Sequence, residues 1–199
     1  MTLDLVPLNL RNMYEVLEWK HACAVLKSDF PEEWDDILKI LPKFCLNKSD
    51  VLASGGGLSL ISQWFNKSFK KRGWIEKSFD TKIIVDKNEM VTPTHKVDCF
   101  KNRVALEIEW SNKDPFFDRD LNNFRLLFEL RAISVGIIIT KSNGLVDIFK
   151  GLGKEVWDKY GRSTTWMGKL TPRIEGGGGG GCPILVFGIT EKCYQGGKI

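Results

Sequence analysis

Between Val97 and Trp110 the chain carries three acids whose spacing suits metal-assisted chemistry: Asp98, then Glu107 and Glu109. Successive side chains of a strand point to opposite faces. Val104, Leu106, Ile108 and Trp110 therefore share one face, and Arg103, Ala105, Glu107 and Glu109 share the other. Two carboxylates side by side within a sheet repel each other and lose hydration. A divalent cation offsets both effects, and Mg²⁺ takes hard oxygen ligands from one or two carboxylates, water and a substrate phosphate. Asp98 lies on the preceding segment and returns to the same spot across a turn, which completes a trio suited to phosphodiester chemistry. The same spacing also fits an ordinary strand with one solvated face.

The elements that must position these acids form an α/β pattern. Residues 11–27 space Met13, Val16, Leu17, Cys23 and Leu26 as a helix does. A second helix starts at Pro31, with Glu32 and Glu33 in its first turn, and ends at Pro42. Ser54–Gly57 reads as a loop, and a third helix runs from Leu58 to Arg72 and stops at Gly73. Strands follow at Lys82–Val85 and Val104–Trp110, then an amphipathic helix at Asp118–Arg131 with Leu121, Phe124, Leu127 and Phe128 inward. The apolar runs Ile133–Thr140 and Ile184–Ile189 suit strands buried on both faces. Between them, Gly144–Tyr160 reads as a helix broken near Gly151–Gly153. The expected fold is a central mixed β-sheet flanked by helices on both faces, preceded by N-terminal helices. One domain spans 1–199, with a mainly helical part at 1–73 and a catalytic α/β core at 74–190. Six glycines, Gly176–Gly181, read either as a disordered surface loop or as one that approaches DNA closely.

Composition narrows the classes. No run of about 18 apolar residues is present, and the first ten residues lack the basic start and apolar stretch of a signal peptide, so a cytoplasmic protein with no membrane partner is expected. Five cysteines without CxxC spacing suggest neither a disulfide framework nor a zinc site. Two histidines leave little for a His-based triad. The net charge of +4 tolerates a nucleic-acid partner without establishing one.

The stretch Arg103-Val104-Ala105-Leu106-Glu107-Ile108-Glu109-Trp110-Ser111-Asn112 resembles the catalytic strand of the PD-(D/E)XK type II restriction endonucleases of the BglII, BstYI and BamHI kind. The spacing from Asp98 to Glu107 is similar too. Phe30–Ile37, Phe69–Trp74, Val135–Ile139 and Pro183–Ile189 are similar to segments of that family in character and order, so the likeness spans roughly residues 30–190. The usual motif ends in Lys, and BglII and BstYI have Gln there; Glu109 is instead like BamHI.

The resemblance implies a nuclease in which Asp98, Glu107 and the Ile108 carbonyl hold Mg²⁺, and Glu109 acts as base or further ligand. It also implies a further acid after a Trp-containing helix, for which Glu76 is the local candidate. Enzymes of this kind read palindromes in double-stranded DNA as homodimers, leave 5′-phosphates and work beside a methyltransferase acting on the same site. A GATC-containing site is the implied target class. The N-terminal helices or the Asp118–Arg131 helix would supply the dimer interface, although apolar stripes of this kind usually serve the intrachain core. Asn112, Lys113, Lys141, Asn143, Arg162 and Arg173 are candidates for DNA contact, with Ser163-Thr164-Thr165 as hydroxyl donors; solubility or a plain turn is the alternative for each.

Three rivals remain in view. A repair or junction-resolving nuclease would use the same core, and a non-catalytic DNA-binding module would not need the acids. A glycosidase needs carboxylates flanking a sugar, which neighbours on one strand such as Glu107 and Glu109 do not provide.

Overall fold

The structure is a computed structural model and describes residues 2–53, 57–86, 88–92 and 94–196. Of the loop expected at Ser54–Gly57, all but Gly57 lies outside the described residues. The chain runs through α1 (Leu8–Met13), β1 (Tyr14–Trp19), α2 (Ala22–Asp29), α3 (Pro31–Ile40), β2 (Leu46–Asn47), α4 (Lys48–Leu52) and α5 (Leu60–Lys70). Then come β3 (Ile75–Lys77), β4 (Thr81–Val85), β5 (Asn88–Thr92), β6 (Val97–Lys101), β7 (Val104–Ile108), α6 (Pro115–Glu129) and β8 (Val135–Lys141). α7 (Val146–Gly151), α8 (Lys154–Tyr160), α9 (Met167–Glu175), β9 (Ile184–Ile189) and β10 (Tyr194–Gln195) complete it.

The two apolar runs form the middle of a six-stranded mixed sheet, ordered β1-β9-β8-β7-β6-β3. β7, β8 and β9 are mutually parallel, and the outer pairings are antiparallel. Every residue of β8 and β9 is buried. Helices cover both faces. On one, Leu106, Ile108, Ile137 and Phe187 pack against the N-terminal helices, α7 and α8. On the other, Ala105, Ile138 and Val186 pack against Phe117, Leu121, Phe124 and Leu127 of α6 and Leu170 and Ile174 of α9. This is the expected fold class.

Its details differ from the sequence reading at β1, at the Lys82–Val85 strand and at the glycine run, and β3, β6 and α9 are elements that reading did not include. The helix expected over residues 11–27 is split by β1, which pairs with β9 from Tyr14↔Ile189 to Trp19↔Ile184. A helical spacing of apolar residues cannot register the unpaired edge of β9, and that edge is what β1 satisfies. Lys20 (φ 51°) and His21 (φ 56°) adopt left-handed backbone and turn the chain from β1 into α2. The strand at Lys82–Val85 exists, but it pairs with β5 in a separate two-stranded hairpin. Finally, of the two readings of Gly176–Gly181, the disordered loop gives way to a defined turn. Gly177 (φ 85°) and Gly180 (φ 57°) turn the backbone, and Gly178 N–H donates to the Arg173 carbonyl at 2.8 Å, closing α9. Gly179 is buried, and a side chain there would meet Ile184.

Candidate active site

Two left-handed residues, Asn102 (φ 43°) and Arg103 (φ 67°), make the tight hairpin turn between β6 and β7. This puts Arg103 in the turn and pairs Cys99 with Leu106. One step further along that register Asp98 falls opposite Glu107, and cross-strand partners project from the same face. The two residues exchange hydrogen bonds. The Ile108 N–H donates to Asp98 Oδ2 at 3.0 Å, and the Asp98 N–H donates to Glu107 Oε2 at 3.3 Å.

The alternation expected along β7 holds. Val104, Leu106, Ile108 and Trp110 pack into one core, while Ala105 packs into the other. Glu107 and Glu109 lie on the α6 side, each 1 % exposed. They are not solvated, so the ordinary strand with a wet face does not describe them. Glu109 Oε1 accepts from Asn112 Nδ2 at 3.1 Å and from Arg119 Nη2 at 3.4 Å. Glu109 Oε2 and Glu107 Oε1 are buried without a hydrogen-bond partner.

A third buried acid, Asp120 of α6, completes the cluster. Its Oδ1 accepts from Arg119 Nε at 3.0 Å and Nη2 at 2.8 Å, and its Oδ2 has no partner. Burial, followed by the charges of Asp120 and Asp98, pushes the Glu107 carboxyl well above its usual range. Burial and the neighbouring Asp120 push Glu109 up to about 9. Burial raises Asp120 and Asp98 as well, against the opposing pull of Arg119 on Asp120 and of the Ile108 N–H on Asp98.

Another buried acid, Asp36, provides the contrast. It accepts from Arg72 at 2.8 Å and from Trp74 Nε1 and Lys101 Nζ at 2.9 Å. Burial would raise its carboxyl, but those three donors outweigh it and leave it below the usual value. Asp36 thus has its counter-charges built in, and ties α3 to β6 and the end of α5. The cluster at β7 has Arg119 and still holds three buried oxygens with no partner. Hard, anionic, desolvated and unsatisfied oxygens are the donor set a divalent cation fits.

The remaining candidates fall in different places. Glu76 is exposed on β3, ion-paired to Lys96 at 2.6 Å, and lines a cleft of about 490 Å³ together with Asp98, Asn66, Lys70 and Trp74. Asn112 is spent on Glu109. Lys113 and Ser163 are exposed and bonded to each other at 2.9 Å, on loops joined by the Lys113↔Thr164 bridge. Arg162 and Asn143 are exposed, although Asn143 Oδ1 also accepts the Gly168 N–H at 3.0 Å. Arg173 pairs with Asp118 at 2.9 Å.

Two of the DNA-contact candidates are corrected to structural roles. Lys141 is fully buried: its Nζ donates to the Trp110 carbonyl and lies over the Trp110 and Trp166 rings. Thr164 is buried too, its hydroxyl donating to the Tyr160 and Gly161 carbonyls. Both residues fall where tertiary packing closes over them, which a polar residue type in a loop-like stretch does not reveal.

Asp120 and His95 were missed. Ligand atoms of His95, Glu107 and Asp120 all lie within 4.8 Å of one another. The signal for Asp120 was available, since it shares the apolar stripe of Phe117, Leu121, Phe124 and Leu127. His95 carries no comparable local mark.

Residues 14–189 match the restriction endonuclease BglII/BglIII family, and the chain belongs to it. It is therefore a type II site-specific deoxyribonuclease that binds DNA, a kind of enzyme that typically uses a divalent metal. A comparison with individual curated proteins gave no match. Among the described residues no helix is long and apolar enough to cross a membrane.

Proposed function

We propose that this enzyme cuts both strands of a short palindromic DNA site in a Mg²⁺-dependent reaction that leaves 5′-phosphates and 3′-hydroxyls. The observation that carries the reading is the pair of partnerless buried oxygens on Glu107 and Glu109, beside the cross-strand Asp98. Asp98, Glu107 and the Ile108 carbonyl would hold Mg²⁺, which supplies Lewis-acid charge to the scissile phosphate and its leaving oxygen.

The chain's own groups do the rest. Glu109 accepts a proton from the attacking water at Oε2, while Asn112 and Arg119 hold Oε1 in place. A carboxylate whose proton affinity is raised by burial is a stronger base once ionised. Glu76, across the cleft from Asp98, adds a carboxylate at the entrance. Lys113, Arg162 and Ser163 line the loop pair next to Glu109 and suit phosphate contacts, with Asn143 and Arg173 as outlying positions.

A palindromic site is matched by a twofold homodimer of a single-domain chain. The enzyme acts in the cytoplasm on incoming DNA, and a methyltransferase protects the same site in host DNA. The test is product chemistry. Ends made with Mg²⁺ should ligate without prior kinase treatment and be identical on both strands. Ends that ligate only after kinase treatment, or cuts in one strand alone, would contradict the proposal.

A further inference from the structure

We infer that His95, Glu107 and Asp120 form a second divalent-cation site that shares Glu107 with the Asp98 side and favours a transition-metal ion such as Mn²⁺ over Mg²⁺. That this site is additional to one at Asp98, with Glu107 common to both, rests on the proposed role of Asp98.

Three elements converge at this place: the segment entering β6 brings His95, β7 brings Glu107, and α6 brings Asp120. One ligand atom from each lies within 4.8 Å of the other two. Metal–ligand bonds of about 2.0–2.2 Å hold neighbouring donors roughly 3–4 Å apart, so a small rotation of side chains closes the set.

The hydrogen bonding leaves the right atoms open. Glu107 Oε2 is committed to the Asp98 N–H, and Asp120 Oδ1 to the Arg119 guanidinium. The oxygens left over, Glu107 Oε1 and Asp120 Oδ2, are buried and have no partner. Both residues are almost wholly buried, at 1 % and 0 % exposed. Water therefore does not satisfy these atoms from bulk.

The frame around them is held in advance. Asn123, three residues after Asp120 on α6, accepts the His95 N–H at 3.4 Å and donates to the His95 carbonyl at 3.1 Å. This fixes the His95 backbone to the helix that carries Asp120, the kind of support metal ligands need.

The donor set decides the ion. All-oxygen sites suit Mg²⁺, whereas an imidazole shifts preference towards Mn²⁺, Co²⁺ or Zn²⁺. Asp98, Glu107 and a backbone carbonyl are all oxygen; His95, Glu107 and Asp120 are not.

The test uses the intact, DNA-free protein and Mn²⁺ alone. Loss of the free-ion electron paramagnetic resonance signal counts bound Mn²⁺, and near-ultraviolet circular dichroism checks folding. Wild type should bind two ions per chain. His95→Gln should lose one of them, or hold it at least about tenfold more weakly, and Asp98→Ala should keep it. Nitrogen coupling from an imidazole should appear in the pulsed spectrum of wild-type protein loaded with Mn²⁺, a readout that needs no variant. Two ions bound by His95→Gln as tightly as by wild type, or bound Mn²⁺ without nitrogen coupling, would overturn the inference. Full binding by Asp98→Ala, with loss in His95→Gln, would instead remove the proposed ligand role of Asp98 and leave this site standing.

Discussion

Replacing Glu109 by Gln should make the metal-free protein more stable and the enzyme inactive. Gln keeps the size of the side chain, and its Oε1 can still accept from Asn112 and Arg119, so the substitution removes charge with little change in packing. In the folded chain burial and Asp120 hold the Glu109 carboxyl at about 9, against an ordinary value of 4.5. A folded-state value above the unfolded one means that the folded state binds the extra proton between those two limits. The contribution to stability is then full below pH 4.5 and is lost as pH rises towards about 9. At about pH 8 the difference amounts to roughly 5 kcal/mol at about 1.4 kcal/mol per unit. Asp120 and Glu107 share the repulsion, so relief through Glu109 alone should fall at about 2–5 kcal/mol, or an increase of about 5–15 °C in Tm for a chain of this size. Thermal unfolding in EDTA at about pH 6 and about pH 8 measures it. Wild type should lose Tm between the two conditions. Glu109→Gln should lose less and melt higher at the upper pH, and DNA cleavage with Mg²⁺ should fall by at least about a hundredfold. A folded Glu109→Gln protein that melts no higher than wild type at about pH 8 would refute the picture of an under-compensated acid cluster.

Two further substitutions probe the frame. Gly136→Ala on β8 places a methyl group 2.4 Å from Cδ2 of the buried Phe124 ring of α6, so it should cost about 1–3 kcal/mol in urea unfolding and reduce cleavage by shifting the helix that carries Asp120; wild-type stability would show that α6 is not seated as described. Lys141→Met removes a buried amine whose burial pushes its pKa far down, and should leave DNA affinity within about twofold and stability unchanged or higher; a tenfold loss of affinity would return Lys141 to the DNA surface.

How much of this was legible in the sequence depended on whether the deciding contacts were local. The alternation through Val104–Trp110 is a property of one strand, and it placed Glu107 and Glu109 on a common face correctly. Ile133–Thr140 and Ile184–Ile189 are apolar at every position because each is buried on both sides, so their central place could be read directly. β1 was hidden because Tyr14–Trp19 is sheet only by virtue of β9, some 170 residues later. β3 is three residues long, and α9 has Pro172 inside it, so neither announces itself by period. The α6 stripe marks Asp120 as inward, but its meeting with Glu107 and His95 depends on the docking of α6 and the β6 segment, a tertiary arrangement that no spacing encodes. The depth of the acids was likewise invisible, since alternation fits a wet face and a buried one equally.

Site-specific cutting of DNA by this chain should depend on the acids of β6 and β7. The decisive measurement incubates purified protein with several unmethylated phage and plasmid DNAs and Mg²⁺, beside Glu107→Ala, and separates the products on a gel. Wild type should give discrete bands with Mg²⁺ and none in EDTA, and a Glu107→Ala protein that is folded and at least as stable should give none. Uncut DNA in every substrate with wild type, or equal cutting by Glu107→Ala, would contradict that expectation.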